Sequence, residues 1–167
     1  IPTYNEAHYL EGALYGLKFV DEIIVVDSMS SDATVQIATD YGCKVISRKF
    51  DNFSNQKNYA LQFATSDWVL FLDGDERITE ALQKEILTAI ESNTHTGYKL
   101  NFPHFYMNRF LYHHYNNVTR LVKRINCHFE GNVHEKLIVD GSIGTLKNKV
   151  LHYTYKGLVH YIGKKDS

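Results

Sequence analysis

Apolar residues in this chain follow two rhythms. In the first part a short continuous apolar run leads into a polar turn and then into a stretch of helical period. Ile23 to Val26 are consecutive within Glu22 to Asp27, and Trp68 to Leu72 is equally unbroken, with a shorter run in Lys44 to Ser47 between them. Runs without alternation describe parallel strands covered on both faces. The intervening spacing predicts helices: Leu10, Leu14 and Leu17 on one; Val35, Ala38 and Tyr41 on a second, stopped by Gly42; Leu82, Ile86 and Ile90 on a later one. Strand starts near 22, 44 and 68 leave room for right-handed βαβ crossovers and a parallel sheet. After about Gly97 the helical period stops. Tyr98 to Phe102, Val118 to Val122 and Leu137 to Val139 predict mixed or antiparallel strands, Gly131, Gly141 and Gly144 predict turns, and Lys156 to Ile162 a short closing helix. The expected class is α/β, a mostly parallel sheet flanked by helices.

The 167 residues suit one domain. An apolar share of 44% and a charged share of 22% exclude a disordered chain, and no run approaches the length of a membrane helix. Cys43 and Cys127 are too few for a disulfide framework and lack zinc-site spacing, so they read as reduced thiols of a cytoplasmic protein, and no secretory signal is visible. Ile1-Pro2-Thr3 stands directly before a loop, which predicts a fragment with the front of its first strand truncated. The net charge of −1 hides an asymmetry: residues 1–98 carry 7 Lys/Arg against 15 Asp/Glu, whereas residues 99–167 carry 11 against 4 and seven of the nine histidines. A basic, Tyr-rich second part suits a polar anion, nucleic acid or a phosphate-bearing substrate alike.

Open parallel sheets bind ligands at the carboxyl ends of their strands, so the polar residues that follow the apolar runs are the candidates. Asp73-Gly74-Asp75-Glu76 packs three carboxylates into four positions. Such acids repel one another, and a hard divalent cation, Mg²⁺ or Mn²⁺, completed by substrate phosphates is the usual compensation, with Asp75 the preferred ligand. An acidic turn welcomed by the next helix N-terminus is the plainer alternative. Asp27-Ser28-Met29-Ser30-Ser31-Asp32 ends a strand in an acid and a hydroxyl-rich turn that can hold a ribose or base, or merely cap a helix. Asp27, closing a buried strand, needs a partner. Tyr4-Asn5-Glu6 follows the first strand, and Lys57 near a helix start is placed for phosphate, although an isolated lysine is more often solvated.

Pro2-Thr3-Tyr4-Asn5-Glu6, the Asp27-x-Ser-x-Ser-Asp-x-Thr turn, Asn55-Gln56-Lys57-Asn58 and Asp73-x-Asp75-Glu76 together resemble an inverting glycosyltransferase of family 2 with the GT-A (Rossmann-like) fold. Val133-His134-Glu135 and Leu151-His152-Tyr153 resemble the branch containing lipopolysaccharide core β-1,4-glucosyltransferases. The resemblance implies a UDP-sugar donor, with UDP-glucose the first candidate, held by Pro2, Tyr4, Glu6, Asp27, Ser28, Lys57, Asp73 and Gly74. It implies Mn²⁺ or Mg²⁺ on Asp75 and His152, the metal acting as Lewis acid for the departing UDP. It divides one domain into a nucleotide-sugar part, residues 1–97, and an acceptor part, residues 98–167. The acceptor would be a glycan, a lipopolysaccharide core or a lipid-linked sugar rather than nucleic acid. The protein would then be cytoplasmic, with peripheral contact to the anionic inner face of the membrane. An acceptor hydroxyl needs a base; the basic part holds only Glu130, Glu135, Asp140 and Asp166 as acids, and Glu135 is the expected one. A surface partnership of Glu135 with Lys136 or Arg124 is the plain alternative. Two rival readings stand beside this one: a haloacid-dehalogenase-like phosphatase with Asp73 as nucleophile, and a non-catalytic nucleotide-sugar-binding module.

Overall fold

A computed structural model describes residues 1–106, 109–132 and 134–153. Its first part alternates as the apolar runs predict: β1 (Pro2–Thr3), α1 (Ala7–Tyr15), β2 (Ile24–Asp27), α2 (Thr34–Asp40), β3 (Lys44–Ser47), α3 (Phe53–Leu61) and β4 (Trp68–Leu70). Then follow β5 (Glu76–Ile78), α4 (Glu80–Ser92), β6 (Gly97–Tyr106), β7 (Arg109–Lys123), β8 (Cys127–Glu130), β9 (Lys136–Val139) and β10 (Ile143–His152). β1, β2 and β3 form a parallel sheet with Thr3 beside Asp27 and Asp27 beside Ser47, so the strands end together and their loops share one edge.

Trp68 to Leu72 departs from expectation. β4 pairs antiparallel with β7 and opens a five-stranded mixed sheet of order β4-β7-β6-β10-β5. An unbroken apolar run reports burial on two faces, and this strand gains it without a parallel neighbour. The second strand begins at Ile24 rather than Glu22, whose carboxylate instead accepts from the Thr65 and Ser66 N–H groups. In the second half the mixed pairing is as expected: β6 with β7 antiparallel, β6 with β10 parallel, β10 with β5 antiparallel. Gly131 and Gly141 turn the chain with φ of 96° and 117°, a region that favours glycine. Gly144 does not mark a turn. It lies inside β10, where a Cβ would stand 2.8 Å from the Tyr98 ring, so its smallness serves close packing. Lys156 to Ile162 lies outside the described residues.

α4 shows why the spacing works. Thr79 caps it by accepting from the Leu82 N–H, Asn93 ends it in a left-handed conformation, and Leu82 and Ile86 are buried with Leu72, Leu100, Leu121 and Val150. Full burial of each such side chain stabilises by roughly 1.5–3 kcal/mol. On α1, Leu10 and Leu14 pack with Val25 and Ala38, while Leu17 remains buried in the turn beyond the helix. On α2 the inward positions are Thr34 and Ala38, not the expected Val35 and Tyr41, because Thr34 turns its hydroxyl toward Asp32 and Glu6. Gly12-x-x-x-Gly16 allows close contact of α1 with β5: a Cβ at Gly16 would lie 2.9 Å from the Ile78 carbonyl.

Candidate functional site

The loops after β1 and β2 are laced together. Asp27 is buried and accepts from the Thr3 hydroxyl and from the Ser30 N–H and hydroxyl, which answers its need for partners. Asn5, left-handed at φ 52°, donates its N–H to Ser30 and accepts from the Ser31 N–H. The Glu6 N–H donates to Thr34 and the Ala7 N–H to Asp32. These bonds fix Ser28 beside Gln56 of α3, whose amide donates to its hydroxyl at 2.9 Å, and leave Tyr4 exposed. Pro2, paired with Val26, supplies strand rather than loop.

The acidic turn lies against this edge. A Cβ at Gly74 would come within 3.3 Å of the Glu6 side chain, so glycine is what lets the turn between β4 and β5 approach the first loop. Within the turn each carboxylate has a partner, and two of the three share one. Arg120 of β7 reaches Glu76 at 3.1 Å and Asp73 at 3.4 Å, with its guanidinium over the Phe102 ring. Asp75 meets His152 at 3.1 Å, because the register of β5 on β10 sets His152 beside Glu76 and the Tyr153 N–H on the Asp75 carbonyl. Lys57 reaches Glu135 at 3.2 Å. Of the three acids of the turn, Arg120 thus offsets Asp73 and Glu76, and Asp75 is left to His152.

Titration directions follow from these contacts. Burial pushes the Glu76 carboxyl above its usual range, only partly opposed by Arg120. Burial would also raise Asp73, but Arg120 and then Lys57 outweigh it and hold this carboxyl low. The hydrogen bond with Asp75 raises His152 against the opposing effect of burial.

Glu135 reaches the cluster through α3. Asn58 accepts from the Phe129 N–H and donates to its carbonyl, and the Ser54 hydroxyl donates to the Gly131 carbonyl, so α3 clamps both β8 and the loop that carries Glu135. Lys57 lies buried between the Phe129 and Phe53 rings, with its charge directed at Glu135. Neither expected surface partner of Glu135 engages it in this way; Arg124 donates to the Ser66 carbonyl. Arg120 and the Glu76 pairing escaped sequence reasoning. A signal existed for Glu76 alone, which shares its strand face with buried Ile78.

Asp75 and His152 fit a divalent cation. Carboxylate and imidazole are accepted ligands, and cis donors on an octahedral ion with bonds of about 2.1 Å stand roughly 3 Å apart, close to the separation found here. Among the described residues no three His, Cys, Asp or Glu side chains gather into a cage. With Asp75 and His152 as donors, such an ion would take its other ligands from substrate oxygens, for which a diphosphate is suited. A separate cavity of about 440 Å³, lined by Leu17, Val20, Ile23, Leu70 and Ile90, includes none of these carboxylates.

The family model of glycosyl transferase family 2 matches residues 1–149. An uncharacterized glycosyltransferase of Rickettsia bellii is 31% identical over 183 residues, covering 99% of this chain and 62% of the relative. The lipopolysaccharide core biosynthesis glycosyltransferase LpsC of Rhizobium meliloti is 30% identical over 93 residues, covering 51% of this chain and 34% of LpsC. Among solved structures, residues 1–349 of S. aureus TarS in complex with UDP-GlcNAc superpose with a TM-score of 0.52 at 26% identity, covering 66% of this chain and 35% of that one. The chain spans less than two thirds of the length of each. The match sets aside the phosphatase reading of Asp73-x-Asp75, and Asp73, the nucleophile in that reading, is engaged by Arg120.

Proposed function

The chain belongs to glycosyltransferase family 2, and from that premise we propose that it transfers a sugar from a UDP-sugar, UDP-glucose in the first instance, to a hydroxyl of a cell-surface glycan with inversion at the anomeric carbon. The observation that carries this reading is the gathering, at one strand edge, of the Asp75–His152 pair, the Asp73–Arg120 pair and the Lys57–Glu135 pair. Tyr4, Glu6, Asp27 and Ser28 would hold the nucleotide against the laced loops. Asp73, kept ionised by Arg120, would accept from a hydroxyl of the ribose or donor sugar beside Gly74. Asp75 and His152 would hold Mn²⁺ or Mg²⁺, which when bound neutralises charge on the diphosphate leaving group. Glu135 would accept the proton of the attacking hydroxyl, and its contact with Lys57 would aim it.

In this reading residues 1–97 serve the donor and 98–167 the acceptor, with β5 and β10 joining the two. LpsC supports a lipopolysaccharide-core or lipid-linked acceptor, and the excess of Lys/Arg after residue 98 supports contact with an anionic membrane face. Among the described residues no helix is long and apolar enough to cross a membrane. Calorimetric titration with UDP, with and without Mn²⁺, tests the reading. Metal-dependent binding that Asp75→Ala abolishes is expected; metal-independent binding unchanged in that variant would overturn the donor site. Binding without UDP release from UDP-glucose would favour a non-catalytic module.

A further inference from the structure

We propose that Phe53, supported by Phe50, is the platform on which the acceptor's terminal hexopyranose lies, a subsite that rests on the glycosyl-transfer reading above. Isolated exposed apolar residues are ordinary, but here two rings stand together at 45% and 49% exposure, with centroids 5.0 Å apart and planes at 70°. The chain holds them outward on a fixed support. Asn52 caps α3 by accepting from the Asn55 N–H, Asn55 donates to Asp51, and Arg48 grips Asp51 through both guanidinium nitrogens. Ordering of this kind at a solvent-facing apolar pair is what a binding surface requires.

The rings stand on the donor part of the chain but adjoin the acceptor part, because α3 clamps β8 and the loop that carries Glu135. The Phe53 ring lies 6.0 Å from Lys57 Nζ, one helical turn on, and Lys57 Nζ lies 3.2 Å from Glu135 Oε1. Ser54, the next residue, bonds the loop that carries Glu135. The Phe53 ring centre is therefore no farther from the Glu135 carboxylate than those two steps combined. A hexopyranose matches the surface in kind. One face of such a ring is made of C–H groups, which carry partial positive charge and meet the negative face of an aromatic ring, while its edge bears hydroxyls. Asp51, Asn52 and Asn55 form the polar border for that edge. In the proposed subsite a sugar would extend from the ring toward the loop that carries Glu135.

Saturation-transfer NMR with methyl β-D-glucopyranoside, in the presence of UDP and Mg²⁺, tests the platform on the chain itself. Transfer to the sugar's C–H protons is expected in the wild type. Affinity should fall about threefold to tenfold in both Phe53→Ala and Phe53→Leu, because leucine keeps bulk and loses the ring, and return in Phe53→Trp. Ile125→Ala, at an exposed position away from the cluster, should bind as the wild type does. Thermal melts confirm that each variant is folded. No transfer in the wild type, or equal transfer in Phe53→Leu, overturns the platform. A parallel UDP titration separates the two levels: UDP binding with Phe53-independent sugar contact sinks the platform alone. Phe53-dependent sugar contact without UDP binding upholds the platform and sinks the donor reading.

Discussion

Replacing Arg120 with methionine keeps the length of the side chain and its packing over Phe102 but leaves Glu76 without its cation. Glu76 is 2% exposed, so its charge cannot recover by hydration. Breaking a buried pair by removing one partner costs about 3–5 kcal/mol, since an uncompensated charge is left inside. Asp73 is omitted from that figure because its side chain is 39% exposed and its contact with Arg120 is longer. The carboxyl has one escape, protonation, and this fixes the sign of the pH dependence. Burial already raises the folded-state value for Glu76, so its contribution to stability is fully present below the unfolded value and is lost as pH rises through the folded one. Without Arg120 the folded value rises further. The deficit of the variant should therefore be near its full size at pH 8, a fall in melting temperature of about 10 °C, and shrink toward pH 5. Urea denaturation followed by the fluorescence of Trp68, the single tryptophan, reads it directly. Adding Glu76→Gln to the variant should restore about 2 kcal/mol at pH 8. A loss below about 1 kcal/mol with no trend in pH would mean the pair behaves as a surface contact and would refute the argument.

Three further outcomes are expected. Glu135→Gln should lower kcat by about 10²–10⁴-fold while UDP affinity by calorimetry stays unchanged; an unaltered kcat would remove it as the base. Asn58→Ala deletes both bonds to the backbone of β8 and should cost about 1–2 kcal/mol in urea denaturation, with kcat falling more than KM rises because the Glu135 loop loses its anchor. Gly16→Ala places a methyl group against the Ile78 carbonyl and should destabilise by about 1–3 kcal/mol; neutrality would mean α1 yields without disturbing β5.

The alternation of strands and helices was legible because burial leaves a periodic trace, clearest in Leu82 and Ile86 of α4. Pairing direction left none: Trp68 to Leu70 has the apolar continuity of a parallel strand yet runs against β7. The acidic turn was legible for a chemical reason, three carboxylates in four positions. Its compensation was not, since Arg120 is 47 residues from Asp73 and 44 from Glu76, and a lone arginine in a strand ordinarily faces water. The same holds for Lys57, which read as a phosphate ligand or a solvated lysine and lies buried against Glu135, 78 residues on. Contacts at that separation depend on sheet register, which no local spacing encodes.

The antiparallel seam between β5 and β10 has a consequence for how the protein comes into being. On the ribosome Asp75 emerges 77 residues ahead of His152, and β5 has β10 as its hydrogen-bonded neighbour. A nascent chain exposed only as far as α4 carries the acidic turn on an unzipped edge. The Asp75–His152 pair therefore cannot form until β10 has been synthesised and docked on β5, so the seam and the pair are completed in a single event.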